Sequence, residues 1–146
     1  MNTSPEQTFE PITIEALVGK VRALREQGHR LVQIGATRLP DQIELTYSFD
    51  LESRLTNLRL HVPAVEARIP SISSVYWCAF LYENEMHDLF NLQVDGMAVD
   101  FQGNFYRTTV KFPFGTTKAP VVKATPTAPK PSAPTPIPSQ PSTGTR

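Results

Sequence analysis

The sequence predicts an α+β domain: a small antiparallel sheet backed by two helices and followed by an extended C-terminal segment. Three observations predict it. Apolar residues recur at helical spacing from Ile14 to Leu24, two stretches between residues 42 and 62 alternate apolar and polar side chains, and the composition changes abruptly after Phe114. A period of 3.6 residues buries one stripe of a helix, whereas a period of two buries one face of a strand.

The first helix covers residues 13–28, with Ile14, Leu17, Val18, Val21 and Leu24 on one face. Thr13 can cap its free amides, Glu15 sits at the positive end of the dipole, and Gly28 supplies a left-handed stop. Residues 30–39 and 42–51 read as strands around Pro40-Asp41. In the second, Ile43, Leu45, Tyr47, Phe49 and Leu51 share a side opposite Glu44, Thr46, Ser48 and Asp50, so one sheet face is wet and antiparallel pairing is favoured. Residues 56–62 add a third strand through Leu58, Leu60 and Val62.

After a break at residues 63–70, Ser71 or Ser73 can cap a second helix running to Phe90. At about 100° per residue, Val75, Cys78, Ala79, Tyr82, Met86, Leu89 and Phe90 share an arc, a core face. Trp77, Phe80 and Leu81 fall outside it, beside Asn84, His87 and Asp88. A helix apolar on both sides needs a second cover, either another subunit or the chain's own C-terminal segment. Residues 91–115 carry Phe101, Phe105, Tyr106, Phe112 and Phe114 without a lasting period, and five aromatics predict a segment laid along its own domain or along a partner.

Residues 115–146 hold eight of the fourteen prolines, no acidic residue and no aromatic, a composition that cannot offset its ordering entropy. A disordered tail is expected from 115 onward, behind a domain spanning 1–114. Its prolines suit either a semi-extended linker or a polyproline ligand. The tail takes four of the fourteen basic residues, leaving ten against fourteen acidic ones in the body. A nucleic-acid partner, which needs a concentrated basic face, is therefore not expected. The longest apolar run is eight residues, 75–82, too short to span a bilayer, and residues 1–11 lack the apolar core of a signal peptide. Cys78 is the sole cysteine, which rules out an intrachain disulfide or a cluster held by several thiolates of this chain; its apolar surroundings suggest an inert core thiol.

The run Glu83-Asn84-Glu85-Met86-His87-Asp88-Leu89-Phe90 carries the most chemistry. Directly behind an apolar block, its carboxylates need partners, because a buried unpaired charge costs several kcal/mol. Glu83 and His87, four residues apart, could hold a divalent ion, although two ligands do not make a site. Close carboxylates at Glu83, Glu85 and Asp88 could divide acid and base roles, but no phosphate loop, nucleophile elbow or complete triad accompanies them.

Residues 82–92 resemble the signature of the 30 kDa hydrophilic subunit family of respiratory complex I, an acidic-x-acidic-x-x-Asp-Leu-Phe-Gly pattern. The wording Glu-Asn-Glu-Met-His-Asp-Leu-Phe is closer still to the related small subunit of membrane-bound energy-converting [NiFe] hydrogenases. Ile69-Pro70-Ser71-Ile72 and the extended segment 94–114 with its Phe105-Tyr106 pair resemble the same family, so that the likeness covers about 45 residues. Asn91 replaces the family's usual glycine and is the next most tolerant residue for a left-handed cap.

The resemblance implies a cofactor-free α+β subunit bracing the [NiFe] large subunit on the cytoplasmic face of a membrane. The NiFe centre and iron–sulfur clusters would sit in partners, which include an iron–sulfur small subunit and integral membrane subunits. The host reaction would be oxidation of ferredoxin or another low-potential donor, with hydrogen evolution coupled to ion translocation. Glu83, Glu85 and Asp88 would grip basic groups of the large subunit, with Trp77, Leu89 and Phe90 packing the interface and His87, Phe105 and Tyr106 completing it. An equivalent subunit of a complex I or formate-hydrogenlyase-type assembly, or a small metal-dependent enzyme using Glu83 and His87, are the alternatives.

Overall fold

The computed structural model describes residues 6–115, so the Pro-rich tail expected from 115 onward lies, apart from Gly115, outside the described residues. Strand β1 (Gln7–Pro11) precedes helix α1 (Ile14–Glu26), and β2 (Arg30–Arg38), β3 (Gln42–Leu51) and β4 (Arg54–Pro63) follow as an antiparallel meander. A short β5 (Arg68–Pro70), helix α2 (Ala79–Phe90) and β6 (Gln93–Asp95) complete the described elements.

Alternation places Ile43, Leu45, Tyr47 and Phe49 on the buried face of β3 with no exposed surface. They stand directly opposite apolar neighbours: Tyr47 pairs Ile34 and Leu58, and Leu45 pairs Leu60. Such cross-strand pairs are what stabilise a sheet. Leu17 and Val21 of α1 and Ala79 and Met86 of α2 close this core from one side.

The sheet order is β1-β4-β3-β2, and β1 lies parallel to β4, which adds a parallel edge strand to the expected antiparallel set. It also modifies the wet face. Asn57 donates to the Thr8 carbonyl of β1 at 3.0 Å and accepts from Ser48 at 2.7 Å, so both side chains are buried on the side expected to face water. Further along, that face is ionic, with Glu44 between Arg59 and His61.

Two helix boundaries differ from expectation. Thr13 precedes α1 but makes no capping bond to the backbone. The Glu15 carboxylate instead accepts from its own amide and from Thr13, which holds its pKa below the usual value. Helix α2 begins at Ala79, not near Ser71, because the two serines are used otherwise: the Ser73 amide donates to Ser71 Oγ, a local bond that competes with helix formation. Residues 72–78 form turns in which Val75 and Tyr76 amides share the Ile72 carbonyl. The wheel therefore holds only from Ala79 onward. Cys78, expected in the core, is exposed, and Tyr76 and Ile72 fill the space.

Helix α2 stops at Asn91, whose φ of 59° and ψ of 33° make it the left-handed cap its side chain tolerates. The turn brings β6 parallel to β5, pairing Ile69 with Val94, and so frames both ends of α2.

Candidate functional site

Helix α2 carries polar side chains that a helix this apolar would ordinarily turn to solvent, yet Glu83, Asn84 and Asp88 are all buried. Each has been given donors by the chain itself. Glu83 accepts from the Ile72 amide and the Ser71 hydroxyl, both at 2.7 Å. Ser71 in turn meets Ser73 at 2.7 Å, and Ser73 accepts from the Ala98 amide at 2.8 Å. Burial raises the Glu83 pKa, an effect that the two donors offset only in part.

Asn84 and Asp88, one turn apart, pin the C-terminal segment. Asn84 donates to the carbonyls of Phe80 and Val99 and accepts from the Phe101 amide at 2.9 Å. Asp88 Oδ2 accepts from the Tyr106 amide at 2.7 Å. Residues 98–106 thus form a strap across α2, held by side chain to backbone bonds. Past the strap the Phe114 amide reaches the Leu89 carbonyl at 2.9 Å, and Arg38 holds the Gly115 carbonyl at 3.2 Å. Of the two covers expected for the second face of α2, the chain supplies its own.

The strap brings new apolar surface outward. Trp77, Phe80, Phe101, Phe105 and Tyr106 follow one another with ring centroids 5.7, 6.5, 5.3 and 4.8 Å apart. Trp77 is 64% exposed, and Phe101, Tyr106 and Leu81 are exposed as well. Five contiguous rings, three of them exposed, form a ridge of the kind that marks a protein interface.

Placed on this geometry, the expected interface residues divide. Trp77, Phe105 and Tyr106 lie on the ridge, and Glu85 stands beside it, 3.4 Å from the Tyr106 hydroxyl. Leu89 and Phe90 are half-buried and, with Phe114, line a groove against β2, where Tyr82 donates to the carbonyl of the bulged Val32 at 3.0 Å. Glu83 and Asp88, expected to carry outward charges, are buried instead: Glu83 accepts from the Ser71 hydroxyl and the Ile72 amide, and Asp88 accepts through one oxygen from the Tyr106 amide of the strap. His87 is half-buried, its Nδ1 donating to the Leu92 carbonyl at 3.0 Å and its ring edge-on to Phe112.

Glu83 and His87, the metal pair considered from spacing, make their bonds to different segments, Ser71-Ile72 and Leu92. Among the described residues no three His, Cys, Asp or Glu side chains come together. Sequence reasoning passed over Asn84, Ser71 and Ser73. The one available signal was Asn84 standing a turn before Asp88 on the same stripe.

The site thus sets inward polar anchors beneath an outward aromatic ridge. The chain belongs to the family described as respiratory-chain NADH dehydrogenase, 30 kDa subunit, which matches residues 10–114. No individual curated protein sequence matches it. Among solved structures it is similar to a chain of the membrane-bound sulfane sulfur reductase, an archaeal respiratory membrane complex. That similarity has a TM-score of 0.62 and 21% identity, and covers 70% of this chain and 64% of the other, just under two thirds of its length. It is also similar to the trypsin-resistant fragment of Nqo5, with a TM-score of 0.56 and 18% identity over 64% of this chain and 82% of that one. Among the described residues no helix is long and apolar enough to cross a membrane.

Proposed function

We propose that this chain is a subunit of a membrane-bound energy-converting [NiFe] hydrogenase complex, in which it carries no cofactor and braces the large subunit. One observation carries the reading: the strap that completes the ridge from Trp77 to Tyr106 is held by three buried side chains, Ser73, Asn84 and Asp88, so the fold fixes the exposed aromatic surface in place. The Glu-Asn-Glu-Met-His-Asp-Leu-Phe wording supports the hydrogenase branch, and the likeness to a chain of another respiratory membrane complex supports a place in such an assembly. The NiFe centre and the iron–sulfur clusters then belong to partner subunits. The complex would oxidise ferredoxin or a similar donor, evolve hydrogen and move ions, with this chain peripheral on the cytoplasmic face and integral membrane subunits beneath it.

An equivalent place in a complex I-type NADH:quinone oxidoreductase, or in a formate-hydrogenlyase-type assembly, is the second reading, favoured by the match to the 30 kDa subunit family over residues 10–114. Affinity purification of the tagged full chain from native membranes separates them. Recovery of a [NiFe] large subunit with iron–sulfur proteins and without a formate dehydrogenase chain supports the first reading. Recovery of flavin- and NADH-binding chains, or of a formate dehydrogenase beside the [NiFe] subunit, supports the second, and recovery of no redox subunit overturns both.

A further inference from the structure

Strand β2 ends the sheet order β1-β4-β3-β2, and among the described residues no strand lies along its outer edge. The register shows which backbone groups that edge presents. The Leu39 amide donates to the Gln42 carbonyl across the hairpin, so at every second residue before it, Thr37, Gly35 and Gln33, the N–H and C=O groups also turn toward β3. Arg38, Ala36 and Ile34 turn theirs outward. Both ends of this edge are engaged: the Tyr82 hydroxyl takes the carbonyl of the bulged Val32 at 3.0 Å, and the Arg38 side chain reaches the Gly115 carbonyl at 3.2 Å. Between them the outward groups of Ile34 and Ala36 meet no partner among the described residues, although Ile34 is only 6% exposed.

Beside this free edge runs a groove whose far wall is Tyr82, Met86, Leu89, Phe90 and Phe114. An open strand edge next to an apolar wall suits an extended polypeptide, whose backbone meets the free N–H and C=O groups while alternate side chains enter the groove. The chain itself arrives there. Phe114 packs on Phe90 with ring centroids 5.7 Å apart, and Gly115 passes so close to α2 that a Cβ would stand 2.9 Å from the Phe90 carbonyl oxygen. With Arg38 on its own carbonyl, Gly115 is fixed at the Arg38 end of the edge.

Thr116, Thr117, Lys118 and Ala119 come next, and Pro120, which has no N–H to give a ladder, follows them. Four residues in strand conformation reach about 13 Å, the span from Arg38 back to Ile34. Two of the four are β-branched, and Ala119 is biased toward extended backbone by the proline after it. Lys118 is their only charge; Glu85, which also lines the groove, has no ion pair among the described residues. We propose that residues 116–119 add to the edge of β2 as an antiparallel fifth strand and cover the groove. Leu89 and Phe90, expected by resemblance to pack against another subunit, are then covered by the chain's own continuation, and the aromatic ridge is left as the docking face. The inference needs no partner chain, so it holds whichever complex the subunit serves.

The test uses the full chain, ¹⁵N-labelled. A variant carrying both Thr116→Pro and Thr117→Pro removes one amide from each edge of the added strand, so it breaks the pairing in either register. Hydrogen exchange at Ile34 and Ala36 should quicken at least about ten-fold, while Leu45 and Tyr47 of β3 keep their protection. Equal exchange at Ile34 and Ala36 in the two chains overturns the proposal. A nitroxide placed on Ala119→Cys, with Cys78→Ser, gives a second reading: the Ile34, Gly35 and Ala36 amide signals should be strongly quenched, and unquenched signals refute the strand. Protection that falls on dilution would assign the edge to a second copy, and protection gained only in the purified assembly would assign it to a partner strand; either result overturns the proposal. None of these outcomes touches the subunit reading, which co-purification tests separately.

Discussion

Replacing Glu83 by alanine should destabilise the domain by about 4 kcal/mol. The carboxylate accepts from Ile72 N and Ser71 Oγ at 2.7 Å, and Ile72 is fully buried, so truncation strands its amide at about 2 kcal/mol. The Ser71 hydroxyl can still turn to Ser73, which limits its loss to about 1 kcal/mol, and the one lost methylene, Cγ, adds about 0.8 kcal/mol. Glu83→Gln keeps shape and one acceptor and isolates the charge. Burial raises the Glu83 pKa above its ordinary 4.5, so the folded state binds a proton more tightly than the unfolded chain. The contribution is greatest at low pH and is lost as pH rises from about 4.5 through the raised folded value, with a slope of at most about 1.4 kcal/mol per pH unit. Urea unfolding of the full chain from pH 4 to 8 reads both effects: wild type should lose stability relative to Glu83→Gln across that window. A loss below 1 kcal/mol for Glu83→Ala, or parallel pH profiles, would refute the inward-facing network.

Asn84→Ala removes three bonds, two of them to the strap, and should speed amide exchange at Phe101 at least ten-fold, while the β3 amides keep their protection. Asn91→Gly should leave stability within about 0.5 kcal/mol, whereas Asn91→Val at the same φ of 59° should cost 1 kcal/mol or more in chemical unfolding. Tyr82→Phe, which frees the Val32 carbonyl at the bulge, should cost about 1 kcal/mol by the same measurement. Paired Trp77→Ser and Phe101→Ser should leave unfolding within about 0.5 kcal/mol, because both rings are exposed, and should abolish recovery of partner chains in pull-downs.

Much of this fold is legible where a residue's environment is set by its near neighbours. Strand β3 runs over Gln42–Leu51 as its alternation requires, and Asn91 occupies the left-handed cap where its side chain is tolerated. Strand β1 escapes notice because four of its five residues are exposed and it shows no alternation. The three-residue β5 and β6 form only by pairing with each other across the length of α2. Ser71 and Ser73 look like helix caps because serine before an apolar run usually is one; here the Ser71 hydroxyl serves a carboxylate twelve positions on, and the Ser73 hydroxyl meets Ser71 and the Ala98 amide. The acidic run misleads for the same reason. Periodicity places Asn84 and Asp88 on an outer stripe, and nothing local announces that amides from Phe101 and Tyr106 will arrive to cover it. The ridge was half legible: aromatic content pointed to an interface, but the order of its rings depends on the strap.

Hydroxyl-radical footprinting of Trp77 and Tyr106, in the isolated chain and in the complex purified from native membranes, tests the docking claim most directly. Both side chains should oxidise rapidly when the chain is alone and be strongly shielded within the assembly. Equal oxidation in the two states would leave the aromatic ridge facing water and contradict the account.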